Sequence, residues 1–215
     1  MKRISLAAIF ISAMLLLTAC SGVAIDPVEN EPESNQAAGE LASTEEADSD
    51  TSESELAVEE QEVSSMKLTS PAFEAGSAIP EEFSCDGEDM SPPLRWSGAP
   101  AGVASFALIM DDPDAPVGTW DHWLLYNIPA EVDGLAPAVP SQARLDNGSL
   151  HGSNSWGNQE YGGPCPPGGT HRYFFQLFAL DELLDLEAGA SKSELQSAMD
   201  GHILEQAELM GTYSR

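Results

Sequence analysis

Three stretches carry dense apolar runs bounded by proline, glycine or aspartate: SFALIM (105–110), HWLLYNI (122–128) and HRYFFQLFAL (171–180). Apolar runs of this length, closed by turn residues, read as buried strands. The prolines and glycines between them rule out long helices there. A different pattern opens at Ser191. Ser191 and Glu194 stand at capping-box spacing, and Leu195, Ala198, Met199, His202, Ile203 and Met210 recur near helical spacing. This predicts a C-terminal helix with Gly211 as its stop. Strands followed by a terminal helix predict a mainly β fold, a sandwich or barrel-like core with peripheral helices.

The apolar pattern does not extend over the whole chain. Every aromatic residue except Phe10 lies beyond residue 70, so the folded unit begins near Met66 and runs to Arg215. That is about 150 residues, enough for one core. Residues 21–66 are rich in Glu, Ser, Ala and Asp, with 14 acidic and no basic side chains. Such a segment cannot bury enough apolar surface to offset its ordering entropy and reads as a disordered acidic tether. As a flexible coil it would reach roughly 40 Å, and further under self-repulsion. At the start, Lys2 and Arg3 precede an apolar run from Ile4 to Leu17 that is too short for a mature membrane span, which reads as an export signal. LTAC (17–20) resembles the lipobox of bacterial lipoproteins, which implies a signal peptide over 1–20 and a diacylglycerol on Cys20. The alternative is an ordinary secretory signal cut near Ala19. Two acyl chains suffice for stable anchoring, so the expected location is the bacterial cell envelope, exported and membrane-anchored.

Charge and cysteines narrow the partners. The chain has 36 acidic and 8 basic side chains, a net charge of -28, and residues 67–215 alone hold 22 acids against 6 basics. A domain this acidic repels a phosphate backbone, so nucleic acid is not an expected partner. With Cys20 acylated, Cys85 and Cys165 remain, and in an oxidising compartment they are candidates for a disulfide. Two buried free thiols are the alternative.

Candidate chemistry concentrates in two loops. MDDPDAPVGTWDHW (110–123) leaves one predicted strand and enters the next at His122. Pro113 and Pro116 fix φ and hold Asp112 and Ala115 extended, so Asp112 and Asp114 are presented from a stiff strand end. Asp111 reads as a turn-capping, solvated residue. GGPCPPGG (162–169) packs seven glycines and prolines into eight positions and leads to His171. Gly162, Gly163, Gly168 and Gly169 permit positive φ and close ligand approach, while Pro164, Pro166 and Pro167 stiffen the same loop. Such turns can point backbone N–H groups into an anion-holding concavity, with His171 at its rim. A mere tight connection is the plain alternative.

Two imidazoles plus backbone donors suit a phosphate or a carboxylate. Asp112 could orient one imidazole and raise its pKa from about 6.5, favouring the anion-binding cation. His122, His171 and Asp112 or Asp114 could instead ligate a metal, but no tight H-x-x-x-H or H-E-x-x-H spacing supports it, and no metal is expected. His202 falls on the helical stripe as a core or edge histidine, and His151 falls in a turn-rich loop. A nucleophilic Cys165 with His171 as base is a further alternative, which a disulfide would abolish.

FSCDGEDMSPPLRW (83–96), DDPDAPVGTWDHWLLYNIP (111–129), GGPCPPGGTHRYFFQLFAL (162–180) and GHILEQAELMGTYSR (201–215) together resemble the phosphatidylethanolamine-binding protein family, in its bacterial Raf-kinase-inhibitor-like branch. The resemblance covers residues 67–215. It implies a β-sandwich with a large central sheet, a few flanking helices, and a small pocket for phosphate, acetate or phospho-head-group anions. The family's first pocket loop matches at Asp112, Pro113, Asp114 and His122, with Trp120 beside it. Its second matches at Gly163, Pro167, His171 and Tyr173. Arg172 matches a structural arginine, and the segment near Met210 and Tyr213 is where members vary their gate. Asp121, where some members carry a second histidine, is expected to add negative charge at the mouth.

The resulting expectation is cofactor-free, non-catalytic binding of an anionic small molecule or phospholipid head group, by an inhibitor or scaffold with an unidentified protein partner. The alternative is a hydrolase using His122 and His171 as acid and base around Asp112, for which no nucleophile is evident. The kinase binding of eukaryotic relatives is not expected here.

Overall fold

A computed structural model of the chain describes residues 65–215. Cys20, the signal segment and the acidic tether through residue 64 lie outside the described residues. Met66 already belongs to the fold: it is buried, and its N–H donates to Glu205 Oε1 at 2.6 Å.

The elements in chain order are β1 (Lys67–Thr69), β2 (Leu94–Ser97), β3 (Ser105–Asp112), β4 (Trp120–Pro129), β5 (Gly134–Leu135), β6 (Leu150–His151), β7 (Thr170–Leu180), α1 (Lys192–Met199) and β8 (Ile203–Ser214). They form a three-stranded sheet, β1-β2-β5, and a five-stranded sheet, β6-β4-β3-β7-β8. Every pairing between these strands is antiparallel.

The three apolar runs became β3, β4 and β7, the centre of the larger sheet. They are continuously apolar because both faces of that sheet are covered. Phe106, Leu108 and Met110 of β3 join one cluster with Leu68 and Trp96 of the smaller sheet. Ala107 and Ile109 point the opposite way, into a second cluster with Leu195 and Met199 of α1. The period-2 alternation of a strand therefore divides one hydrophobic run between two cores.

Two irregularities in β4 shift that alternation. Phe106 pairs with Ile128 and Leu108 with Leu125, so β4 gains a residue around Asn127, whose φ is +55°. The Asn127 side chain holds the kink by bonding both the N–H and the C=O of Leu184. Further along, Met110 pairs with Trp123 and Asp111 with Asp121, which leaves His122 as the extra residue of a β-bulge.

The predicted C-terminal helix is corrected. The capping box of Ser191 and Glu194 is present, but the helix ends at Met199, and residues 203–214 form the strand β8. Gly201, at φ +84°, turns the chain between them. The stretch ILEQAELM is rich in helix formers, yet β8 pairs with β7 along its whole length and buries Ala207, Leu209 and Gly211 at alternate positions. Sheet pairing over an apolar core outweighs an intrinsic preference of well under 1 kcal/mol per residue. Gly211 is not a helix stop. A Cβ there would lie 2.6 Å from Ile79 and 2.9 Å from Phe73, so the glycine lets β8 pack against that segment.

Candidate functional site

The ends of β3 and β4 and the start of β7 converge on a pocket of about 200 Å³. Asp112, Trp120, His122, Pro167 and His171 line it, together with Trp156, which the sequence reading did not single out. Both imidazoles are buried and both are fixed through Nδ1. His171 Nδ1 donates to Asp112 Oδ2 at 2.7 Å, and His122 Nδ1 donates to the Gly162 carbonyl at 2.7 Å. A carbonyl can only accept, so the His122 proton sits on Nδ1 in the neutral ring. Nε2 of each ring has no partner among the described residues.

Asp112 is fully engaged. Its Oδ1 accepts the Asp114 N–H at 2.8 Å, closing the turn that Pro113 stiffens, while its Oδ2 orients His171. Burial pushes the His122 pKa below its ordinary value, and the carbonyl of Gly162 and the charge of Asp112 only partly oppose that. The Asp112 carboxylate does act to raise the His122 pKa, but desolvation is the larger effect and the net shift is downward.

Of the other expected pocket residues, Pro113, Asp114 and Tyr173 do not line this cavity. Asp114 faces Arg172, which donates from Nε at 2.9 Å and from Nη2 at 2.7 Å. That guanidinium holds the Asp114 pKa down to about 2. The pair ties the first loop to the start of β7, consistent with a structural Arg172. Tyr173 lies wholly buried against His122, with ring centroids 5.2 Å apart in an edge-on arrangement. Burial, and secondarily the Asp112 charge, raises its pKa.

Gly163 lines a neighbouring pocket of about 240 Å³ on the far side of Trp156 and Cys165. Its role is close approach and not positive φ. A Cβ would meet the Phe83 carbonyl at 2.4 Å, and its N–H donates to Asp89 Oδ1 at 2.7 Å. Of the four glycines of this loop, Gly169 alone adopts a positive φ, +80°. Cys85 and Cys165 are joined as a disulfide that pins the loop to the segment after Phe83.

Three further readings change with the tertiary contacts. Asp111 is not solvated: it is buried, and Lys192 Nζ donates to Asp111 Oδ2 at 2.6 Å and to Asp121 Oδ1 at 2.8 Å. Asp121 thus shares its cation with Asp111, and one ammonium between two carboxylates leaves the cluster with a net negative charge. The second residue of a capping box carries no signal that it will reach two strands, so Lys192 could not be found from sequence. His151 is fully buried in β6, its Nδ1 on the Gln159 carbonyl at 2.8 Å. His202 lies outside the helix, beside Asp181 at 2.9 Å and Glu182 at 3.4 Å.

Residues 69–214 match the family model described as phosphatidylethanolamine-binding protein. The chain belongs to that family. A protein of Methanothermobacter thermautotrophicus named UPF0098 is 52% identical over 150 residues, covering 70% of this chain and 99% of the relative. A UPF0098 protein of Aquifex aeolicus is 46% identical over 153 residues, covering 70% and 89%. Among solved structures, a phosphatidylethanolamine-binding protein homolog from Chlamydia trachomatis superposes with a TM-score of 0.66 at 43% identity, covering 71% of this chain and 99% of that one. YbcL of E. coli, described as a member of the mammalian family, gives a TM-score of 0.64 at 32% identity, covering 70% and 98%. The family membership places this chain in the bacterial and archaeal branch and accounts for its two antiparallel sheets.

Proposed function

We propose that the protein binds a small anion, phosphate or the phosphate of an ester such as a phospholipid head group, in the pocket between the 112–122 and 163–171 segments, without turning it over. One observation carries this reading: two buried imidazoles line the pocket, and each is fixed through Nδ1 so that its second nitrogen is unpartnered. Protonated, each becomes a donor for an oxyanion in a site of low dielectric. Such local donors must outweigh a repulsive net charge.

The hydrolase alternative gains no support from the geometry. Both Asp112 oxygens are already engaged, and the Cys165 sulfur is bonded to Cys85 and is no free nucleophile. Chemical-shift mapping with phosphate and phosphoethanolamine at pH 6 and pH 8 tests the binding reading. Shifts centred on His122 and His171, larger at pH 6, are expected. Their absence at millimolar ligand would remove the reading, and turnover lost in His122→Ala would replace it with the enzyme.

Anchoring through Cys20 at the bacterial envelope is part of the same proposal and rests on the LTAC motif alone. It predicts a mature chain beginning at Cys20 and carrying a diacylglycerol. Intact mass of membrane-extracted protein checks it, and release of soluble protein beginning after Ala19 without lipid would refute it.

A further inference from the structure

The large apolar side chains left exposed among the described residues are few: Val117, Trp156, Leu183, Ile203 and Leu204. Two of them, Val117 at 79% exposure and Trp156 at 47%, line the same small pocket as the two imidazoles. An exposed tryptophan beside a polar floor calls for an explanation, because large apolar groups at a concave site gain free energy when a ligand covers them.

The backbone of Val117 and the ring of Trp156 are both constrained. Val117 follows Pro116 in the loop that Pro113 also stiffens. Trp156 is fixed by Asn154, whose Oδ1 accepts the N–H of Trp156 at 3.1 Å and of Asn158 at 3.0 Å. Its ring meets Trp120 and His122 edge-on, with centroids 5.4 Å and 5.0 Å away. A Cβ on Gly162 would come within 2.7 Å of the same ring, so the glycine makes room for it. The pocket therefore has two zones: a floor of His122, His171 and Asp112, and a collar of Val117, Trp156 and proline rings.

We propose that the ligand of this site is a phosphate monoester whose alcohol portion is apolar next to the phosphorus, and that Trp156 and Val117 are its specificity-determining residues. The inference rests on the anion-binding reading and adds the chemistry of the remainder of the ligand. The floor takes the oxyanion, and the collar covers the first apolar groups of the ester. A bare phosphate uses only the floor, and a phosphate ester with a polar or charged substituent gains little from the collar.

Calorimetric or NMR titration of the full chain with inorganic phosphate, phenyl phosphate, n-butyl phosphate and phosphoethanolamine tests this. The two apolar esters should bind at least roughly tenfold tighter than inorganic phosphate, the gain from withdrawing about two methylene equivalents from water. Phosphoethanolamine should bind about as phosphate does. In Trp156→Ala, and separately in Val117→Ser, the ratio of phenyl phosphate to phosphate affinity should fall to less than about half its original value. Equal affinities for phosphate and the apolar esters, tighter binding of phosphoethanolamine than of either, or a ratio unmoved by both substitutions would overturn the inference while leaving an anion site. Failure of every anion to bind would overturn the underlying reading and this one together.

Discussion

His122 and His171 look alike in sequence, each a histidine entering a strand after a proline-stiffened loop, yet the fold treats them differently. His171 sits in regular register opposite Tyr213 and gives its Nδ1 proton to a carboxylate. His122 is the extra residue of a β-bulge and gives its proton to a backbone carbonyl. A carboxylate partner supplies charge as well as orientation, whereas a carbonyl supplies mainly orientation, and burial then lowers the His122 pKa. Similar local sequence thus produces two imidazoles poised differently toward the same pocket.

The change expected to disturb both histidines most is loss of the disulfide. Cys85 and Cys165 are 80 residues apart, so the Cys85→Ser/Cys165→Ser variant should lose about 4 kcal/mol by loop-closure entropy, measured by urea denaturation. It also frees the loop that holds the Gly162 carbonyl, so both histidine signals should broaden or shift.

Asp112→Ala separates the two rings. It removes the partner of His171 and the acceptor of the Asp114 N–H, and should cost about 3 kcal/mol in the same denaturation experiment. His122 should keep its bond to Gly162, visible as a smaller perturbation of its ring signals. If both imidazoles respond equally, the distinction between them is wrong.

Lys192→Met acts from the opposite face. It leaves the buried Asp111 and the half-buried Asp121 carboxylates without a cation, at a cost of about 2 kcal/mol. The uncompensated Asp111 charge, which already favours the His122 cation, should then raise the His122 pKa. NMR titration of the histidine ring signals reads this directly, and an unchanged His122 would show that the lysine matters for stability alone.

The smallest expected effect is the pH dependence of the unmodified protein. His122 and His151 both have folded-state pKa values lowered by burial. Their contribution to stability is therefore complete above their unfolded pKa near 6.5 and is lost as the pH falls through that value toward the folded one. Anion affinity should move in the opposite direction and increase from pH 8 to pH 6, because a bound oxyanion favours the imidazolium. Denaturation and phosphate titration at matched pH values check the two signs, and parallel trends would contradict the assignment of His122 to the pocket.

The runs around Leu108, Leu125 and Leu177 announced central strands because a sheet covered on both faces needs uninterrupted apolar sequence. The Asp112 turn and the Gly-Pro loop were legible because proline and glycine act through their own backbone. The capping box at Ser191 was legible for the same local reason. The extent of the following helix was not, since residues 203–214 have helical composition and become a strand only because β7 offers a free edge.

Sequence by itself determined the elements whose cause is local: the strands β3, β4 and β7, the stiff loops, the helix start, and the pocket residues Asp112, His122 and His171. Tertiary structure decided everything that depends on a partner distant in the chain. It set the bulge that places His122, the reach of Lys192 to two strands, the diversion of Asp114 to Arg172, and the seating of Trp156 over the imidazole. The reason is physical. Backbone restriction and hydrophobic period are encoded over a few residues, whereas burial, charge compensation and pKa depend on which segments the fold brings together.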